Sequence, residues 1–168
     1  MRNIKKILLL KILLLSFPII GLGQERSGKV TSHVNPFIGT GAVQSSLSGN
    51  TFPGATVPFG MVQLSPDTRY APDWAQASGY DYNDKNIYGF SHTHLSGTGV
   101  AELFDILVMP VSADLDSLAN NFPDESHTYQ STFSHDRETA RPGYYQVWLS
   151  RYNINAELTA TAHAGFHR

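Results

Sequence analysis

Two neighbouring segments near the end of the chain alternate strictly between apolar and polar residues, and this period constrains the fold more than any other feature. In "YYQVWLSR" (144–151), Tyr145, Val147 and Leu149 share one face, against Tyr144, Gln146, Trp148 and Ser150. In "INAELTATA" (154–162), Ile154, Ala156, Leu158, Ala160 and Ala162 oppose Asn155, Glu157, Thr159 and Thr161. A period of two puts successive side chains on opposite faces of a strand, and the short link through Tyr152 and Asn153 predicts an antiparallel hairpin. The turn signal Arg141-Pro142-Gly143 opens it. "GMVQLS" (60–65) and "DILVMPVS" (105–112) are further predicted strands, the second apolar enough to be buried on both faces. "DLDSLAN" (114–120) is predicted as a turn or two of helix, and the polar stretch from Asn121 to Arg141 as a loop. With 14 Gly, 9 Pro, 8 Tyr and 9 Phe in 168 residues, many short strands and turns are expected. The fold class is therefore all-β, an antiparallel β-sandwich. The last residues, "AHAGFHR", are expected to end inside a strand and leave its edge unpaired, as in a truncated domain.

The chain opens with "MRNIKKILLLKILLLSFPIIGLGQERSG". Arg2, Lys5 and Lys6 precede an apolar run from Ile7 to Ile20, and Gly21-Leu22-Gly23 supplies small residues for a peptidase. This reads as a signal peptide over 1–23, cleaved before Gln24. As a membrane anchor the run is short of the roughly 20 residues a span needs, and Lys11 interrupts it. Without any cysteine there is no lipid attachment after the cut and no disulfide, so a core must hold the domain. Removing residues 1–23 takes Arg2, Lys5, Lys6 and Lys11 from the 12 basic residues and leaves 8 against 14 acidic ones, a formal charge of −6. That balance argues against nucleic acid and an anionic membrane surface as partners. The expected location is secreted or periplasmic, with no membrane attachment after cleavage.

Three stretches carry chemistry. "HVNPFIGTGAVQSSLSGNTFPGATVPFGMVQLSPDTR" (33–69) alternates glycines and prolines with aromatics; it is either a set of turns with Phe37, Phe52 and Phe59 in the core, or a loop whose amides face a ligand. "APDWAQASGYDYND" (71–84) sets Trp74, Tyr80 and Tyr82 among Asp73, Asp81 and Asp84. Flat rings beside carboxylates suit a sugar, which stacks on one and donates hydroxyl protons to the other; an ordinary surface loop carries the same residues. "GFSHTHLSGTG" (89–99) places His92 and His94 two apart, on one face if extended. That spacing can hold a transition metal, but a site needs a third ligand, and His33, His127, His135, His163 and His167 show no paired spacing. Hydrogen bonding within a turn is the alternative. The acids Asp67, Asp73 and Glu102 have no recognisable partner, and there is no nucleophile elbow.

Taken in order, "VNPFIGTG", "GNTFPGATVPFGMVQLSPDTR", "SGYDYND", "YGFSHTHLSGTG", "DILVMP", "PGYYQVWL" and "ELTATAHAGFHR" resemble the amino-terminal end of glycoside hydrolase family 92, the secreted bacterial α-mannosidases. The resemblance runs from His33 to Arg168. It implies a galactose-mutarotase-like supersandwich over 24–168, here partial, followed in the family by an (α/α)6 catalytic barrel. It implies hydrolysis of α-mannosides of glycans with inversion and with calcium, the general acid, base and calcium ligands lying mainly in the barrel. No catalytic residue is carried onto this chain. The partners implied are an α-mannoside glycan and the barrel of the same polypeptide. Trp74 matches a position that packs against the leaving-group sugar; Asn50 and Phe52 lie in the loop beside the cleaved mannose. His92 and His94 fall in an interface loop as hydrogen-bonding groups, not metal ligands. A stand-alone carbohydrate-binding module, and a metal-dependent enzyme built on the H-x-H pair, are the readings this one displaces.

The leader makes the first prediction. Exported protein should show by intact mass an amino terminus at or near Gln24, and an exported species retaining Met1 would restore the anchor.

Overall fold

A computed structural model of the chain describes residues 30–41, 50–70, 77–97, 99–112 and 129–168. Nine strands follow one another among these residues: β1 (Ala55–Thr56), β2 (Gln63–Asp67), β3 (Asn86–Ile87), β4 (Gly89–Ser91), β5 (Ser131–Thr132), β6 (Glu138–Arg141), β7 (Tyr144–Leu149), β8 (Ile154–Ala160) and β9 (Gly165–His167). Every pairing is antiparallel. They form a sheet β6-β7-β8-β9, a sheet β1-β2-β4 and a two-stranded ribbon β3-β5. β1 and β2 pack across β7 and β8, so the two larger sheets make the layers of a sandwich. Between them lies one core, in which Leu64, Ile87, Phe90, Tyr145, Val147, Leu149 and Leu158 are buried.

The alternating segments fold as their period dictates. Tyr145, Val147 and Leu149 of β7 and Ala156, Leu158 and Ala160 of β8 are buried, while Asn155 and Thr159 are exposed. Val147 stands opposite Ala156 and Tyr145 opposite Leu158. Arg141 and Tyr144 pair across Pro142 and Gly143. With Gly143 at φ 75°, the link has the Pro-Gly order of a type II turn. On the other layer, Gly54 crosses so close to β2 that a Cβ there would collide with the Leu64 carbonyl and Ser65; only glycine lets the two backbones approach this far.

Four expectations change. The 60–65 strand begins at Gln63 and runs on to Asp67, because Phe59 at φ 60° and a bond from the Gly60 N–H to the Val57 carbonyl make a turn of its start. Phe59, expected in the core, is 106% exposed. The 105–112 segment is not a strand buried on both faces. It touches β4 through the Phe90–Val108 bridge alone, and Ile106, Leu107 and Val108 are exposed. Positive φ at Leu103, Phe104 and Ile106, a region that sterics make costly for residues with a Cβ, breaks the extended ladder. Within the predicted loop 121–141, β5, a 3₁₀ turn at His135–Arg137 and β6 form instead. β6 pairs only with β7, and such an edge strand carries polar residues without an apolar signal. β8 ends at Ala160, and Thr161 bonds Ala164 to reverse the chain into β9, which pairs with β8; the last residues thus run in a strand whose other edge is unpaired among the described residues, as expected. The predicted helix at 114–120 lies outside the described residues.

Glu138, at the start of β6, fastens the sandwich. Its side chain is 1% exposed. The Tyr80 hydroxyl donates to both carboxylate oxygens at 2.9 and 3.1 Å, the Tyr145 hydroxyl donates at 2.5 Å, and His135 Nδ1 lies 2.5 Å away. Burial, and then the charge of Glu138, raise the ionisation of both tyrosines well above its ordinary value. The stability they give is therefore intact below the unfolded tyrosine value of about 10, and lost as pH rises beyond it, because the unfolded chain ionises first. Tyr145→Phe should cost about 1–3 kcal/mol by leaving a buried carboxylate oxygen short of a donor, and should flatten the alkaline decline. Urea titrations at neutral and strongly alkaline pH measure both; an unchanged alkaline slope would show that Tyr145 does not carry it.

Candidate functional site

The chemistry gathers where β2 ends and the chain leaves β4. Asp67 closes β2, and Ser91 closes β4. Two residues further on, the strand has given way and the two histidines diverge. His94 turns inward: its Nδ1 lies 2.7 Å from the carbonyl oxygen of Gln63. A carbonyl only accepts, so Nδ1 carries the hydrogen. Its Nε2 stands 2.9 Å from Asp67 Oδ1 and 3.0 Å from the Ser91 hydroxyl. Phe52 packs on the ring at 5.0 Å between centroids and Phe104 meets it edge-on at 5.6 Å.

This Ser–His–Asp set is not a nucleophile triad. A triad uses the two imidazole nitrogens separately, one for the carboxylate and one for the hydroxyl; here both sit on Nε2. Ser91 is 0% exposed, so no substrate reaches it. What the arrangement does is hold a carboxylate in place. Asp67 has a side chain 5% exposed, and its other oxygen, Oδ2, has no hydrogen-bond partner among the described residues. Gly79, at φ 81°, lies so close that a Cβ would come within 2.6 Å of Asp67 Oδ1.

Asp67 lines a cavity of about 150 Å³ with Arg69, Tyr70, Tyr88, Phe104 and Leu107. Arg69 Nε lies 2.6 Å from Asp84 Oδ2, at ion-pair distance although not angled as a hydrogen bond, and its Nη2 is 3.6 Å from Asp81. Asp84 also accepts from the Thr68 hydroxyl at 2.9 Å; burial raises its carboxyl ionisation, and Thr68 and Arg69 oppose that rise. A carboxylate, a guanidinium and two tyrosines around one cavity suit a polyhydroxylated ligand.

Of the residues expected to touch a ligand, Phe52 and His94 are brought together, while the Asn50 backbone carbonyl accepts from the Gly97 N–H at 2.6 Å. Asn50 Oδ1 has no partner among the described residues. His92 goes elsewhere, to the Ile106 carbonyl and to His167. Trp74 lies outside the described residues. Asp67 pairs with His94, a contact that the sequence did not signal. Arg69, Tyr70 and Tyr88 were not singled out; the only signal was the run Asp67-Thr68-Arg69-Tyr70 at the end of a predicted strand. Among the described residues no group of three or more histidines and carboxylates is placed to hold a metal. Calcium takes about six to eight oxygen ligands, and the described residues gather no such set. No helix among them is long and apolar enough to cross a membrane.

The described strands thus form an antiparallel sandwich with a carboxylate-lined cavity at the end of one sheet. Residues 33–168 match the glycosyl hydrolase family 92 N-terminal domain, and the chain belongs to that family. It is 43% identical to a family 92 α-mannosidase from Bacteroides thetaiotaomicron solved in complex with mannoimidazole, with a TM-score of 0.69, covering 83% of this chain and 18% of that one. A family 92 inverting mannosidase from the same species is 30% identical, with a TM-score of 0.57, over 77% of this chain and 16% of its own. An uncharacterized secreted glycosidase from Arthroderma benhamiae is 30% identical over 158 residues, which is 93% of this chain and 19% of that protein. The chain thus spans less than a fifth of the length of these relatives.

The buried pair yields a prediction. His94→Ala leaves Asp67 buried without its partner and should destabilise the chain by about 3–5 kcal/mol. His92→Ala removes a partly exposed ring and should cost about 1 kcal/mol or less. Denaturant titration of the two variants compares them, and equal losses would mean that His94 does not prop Asp67.

Proposed function

We propose that this chain is the amino-terminal part of a secreted α-mannosidase, whose sandwich forms one wall of the sugar pocket and supports a catalytic domain that supplies the acid and base. The observation that carries this reading is the 43% identity, over 83% of the chain, to an α-mannosidase that holds a mannose-like inhibitor. The cavity at Asp67 supports it in size as well as chemistry. About 150 Å³ falls short of the roughly 300–1,000 Å³ of a complete small-molecule pocket, as expected of a wall that another surface completes and not of a self-sufficient binding module. The apolar side chains exposed on one loop, Val100, Leu103, Ile106 and Leu107, suit the docking of a second domain. Secretion is supported by the leader and by the relative described as a secreted glycosidase. Calcium remains a property expected of the whole enzyme.

Inverting glycoside hydrolysis sets two carboxyl groups about 6.5–9.5 Å apart, one protonating the leaving oxygen and one activating a water on the opposite face. In this reading both belong to the catalytic domain. The sandwich holds the sugar: Asp67 accepts hydroxyl protons and Trp74 stacks on the leaving group.

Purified chain, supplied with calcium, should turn over neither an aryl α-mannoside nor α-1,2-linked mannobiose. In the whole enzyme, Trp74→Ala should raise KM for the disaccharide more than for the aryl mannoside, since a stacked ring is worth about 0.5–1.5 kcal/mol. Turnover by the isolated chain that one carboxylate substitution abolishes would place the catalytic groups here and end this reading; equal KM effects would move Trp74 away from the leaving sugar.

A further inference from the structure

His92 is left over from the site around Asp67, and its surroundings have a chemistry of their own. Its Nδ1 lies 2.8 Å from the carbonyl oxygen of Ile106. That oxygen can only accept, so Nδ1 bears the ring hydrogen and the Nε2 of the neutral ring is a bare lone pair. Facing it at 3.1 Å is Nε2 of His167, carried there by β9. The two residues are 75 positions apart in sequence.

We propose that His92 and His167 form a two-imidazole binding site for a borderline transition-metal ion of the zinc, copper(II) or nickel(II) class, with water filling the remaining positions. The geometry argues for it directly. Two imidazoles bound to one ion at about 2.0–2.1 Å, at angles between about 90° and 109°, hold their nitrogens about 2.9–3.4 Å apart; the observed separation is 3.1 Å. With each ring centre about 1.1 Å behind its nitrogen, the same ion would set the centres about 4.8 Å apart, and they stand 4.9 Å apart with the planes inclined at 42°.

Two further features fit. A metal-bound histidine typically donates its other N–H to a carbonyl or carboxylate that fixes its orientation, and the Ile106 carbonyl does this for His92. Ile106 is held at φ 58°, a conformation that costs energy in a residue with a Cβ and clusters at functional positions. Imidazole nitrogen favours zinc, copper and nickel over the hard, oxygen-seeking calcium, which separates this site from the calcium expected of the whole enzyme. A hydrogen shared between the two nitrogens satisfies the same distance; the ion would displace it, and binding should weaken as pH falls.

The test is calorimetric titration of the chelator-treated chain with zinc chloride, with copper(II) spectroscopy beside it. One ion per chain is expected, with two nitrogens coupled to bound copper. His92→Ala and His167→Ala should each weaken binding by more than about 10-fold. His163→Ala, an exposed ring 3.3 Å from the Met61 sulfur on the turn before β9, should leave it unchanged. His167→Asn, smaller in its disturbance of the sheet, should repeat the loss if His167→Ala folds poorly. No binding tighter than about 1 mM, binding that survives either substitution at 92 or 167, or a copper spectrum with fewer than two nitrogens would each overturn the proposal.

Discussion

The buried carboxylate of Glu138 is the interaction on which the rest of the described structure depends. A charge removed from water is tolerable only when donors surround it, and three side chains from different parts of the chain do so. Tyr145 comes from the neighbouring strand β7, His135 from the turn before β6, and Tyr80 from the β2–β3 connection. The last of these matters most, because Tyr80 is not in the sheet of Glu138. His135 extends the tie: its Nε2 lies 2.6 Å from the Tyr82 carbonyl oxygen, and its ring stacks on Tyr82 at 3.8 Å. Its two ring nitrogens face two acceptors, the Glu138 carboxylate and the Tyr82 carbonyl, so the ring bridges strand β6 and the β2–β3 connection.

That anchor reaches the candidate site through the backbone. The segment pinned at Tyr80 also bonds the end of β2: Thr68 N–H donates to the Gly79 carbonyl, and Asp81 N–H to the Thr68 hydroxyl. Gly79 in turn lies against Asp67. The carboxylate that lines the cavity is thus fixed on one side by His94 and on the other by a connection that Glu138 holds down. A site placed between two buried polar anchors keeps its geometry without help from loop packing, which is what preorganised recognition requires.

Much of the fold was legible because it is written locally. The β7–β8 hairpin shows its period within a few residues, and the Pro142–Gly143 turn announces itself by composition. What was not legible depends on partners far along the chain. Asp67 meets His94 27 positions later, and nothing near either residue signals the contact. His92 and His94 share a spacing that suggests a common face, yet the strand ends at Ser91 and the two rings part. β6 escaped notice because "ETAR" carries no apolar alternation; its information is one glutamate whose donors are Tyr80 and Tyr145. The 105–112 run misled for the opposite reason. Its apolar residues read as interior, but left-handed backbone at Leu103, Phe104 and Ile106 turns them outward. Apolar sequence records that a surface avoids water, not that this domain is what covers it.

The unpartnered oxygen of Asp67 bears on the proposed sugar contact, because Oδ2 is buried with no hydrogen-bond partner among the described residues. A carboxylate oxygen held out of water without a donor costs about 1–3 kcal/mol or more, and the fold has no flexibility left with which to relieve it: His94 occupies Oδ1 and Gly79 blocks movement away. Under the proposed function, a sugar hydroxyl would recover that energy only where the completed pocket opens a path to Oδ2, which is sealed from solvent in this chain. Discrimination by an unsatisfied buried acceptor is sharper than discrimination by shape, because the wrong ligand forfeits the bond and leaves the charge stranded. Under the proposed function, a sandwich that presents such a group shapes what its partner domain accepts without a catalytic residue of its own.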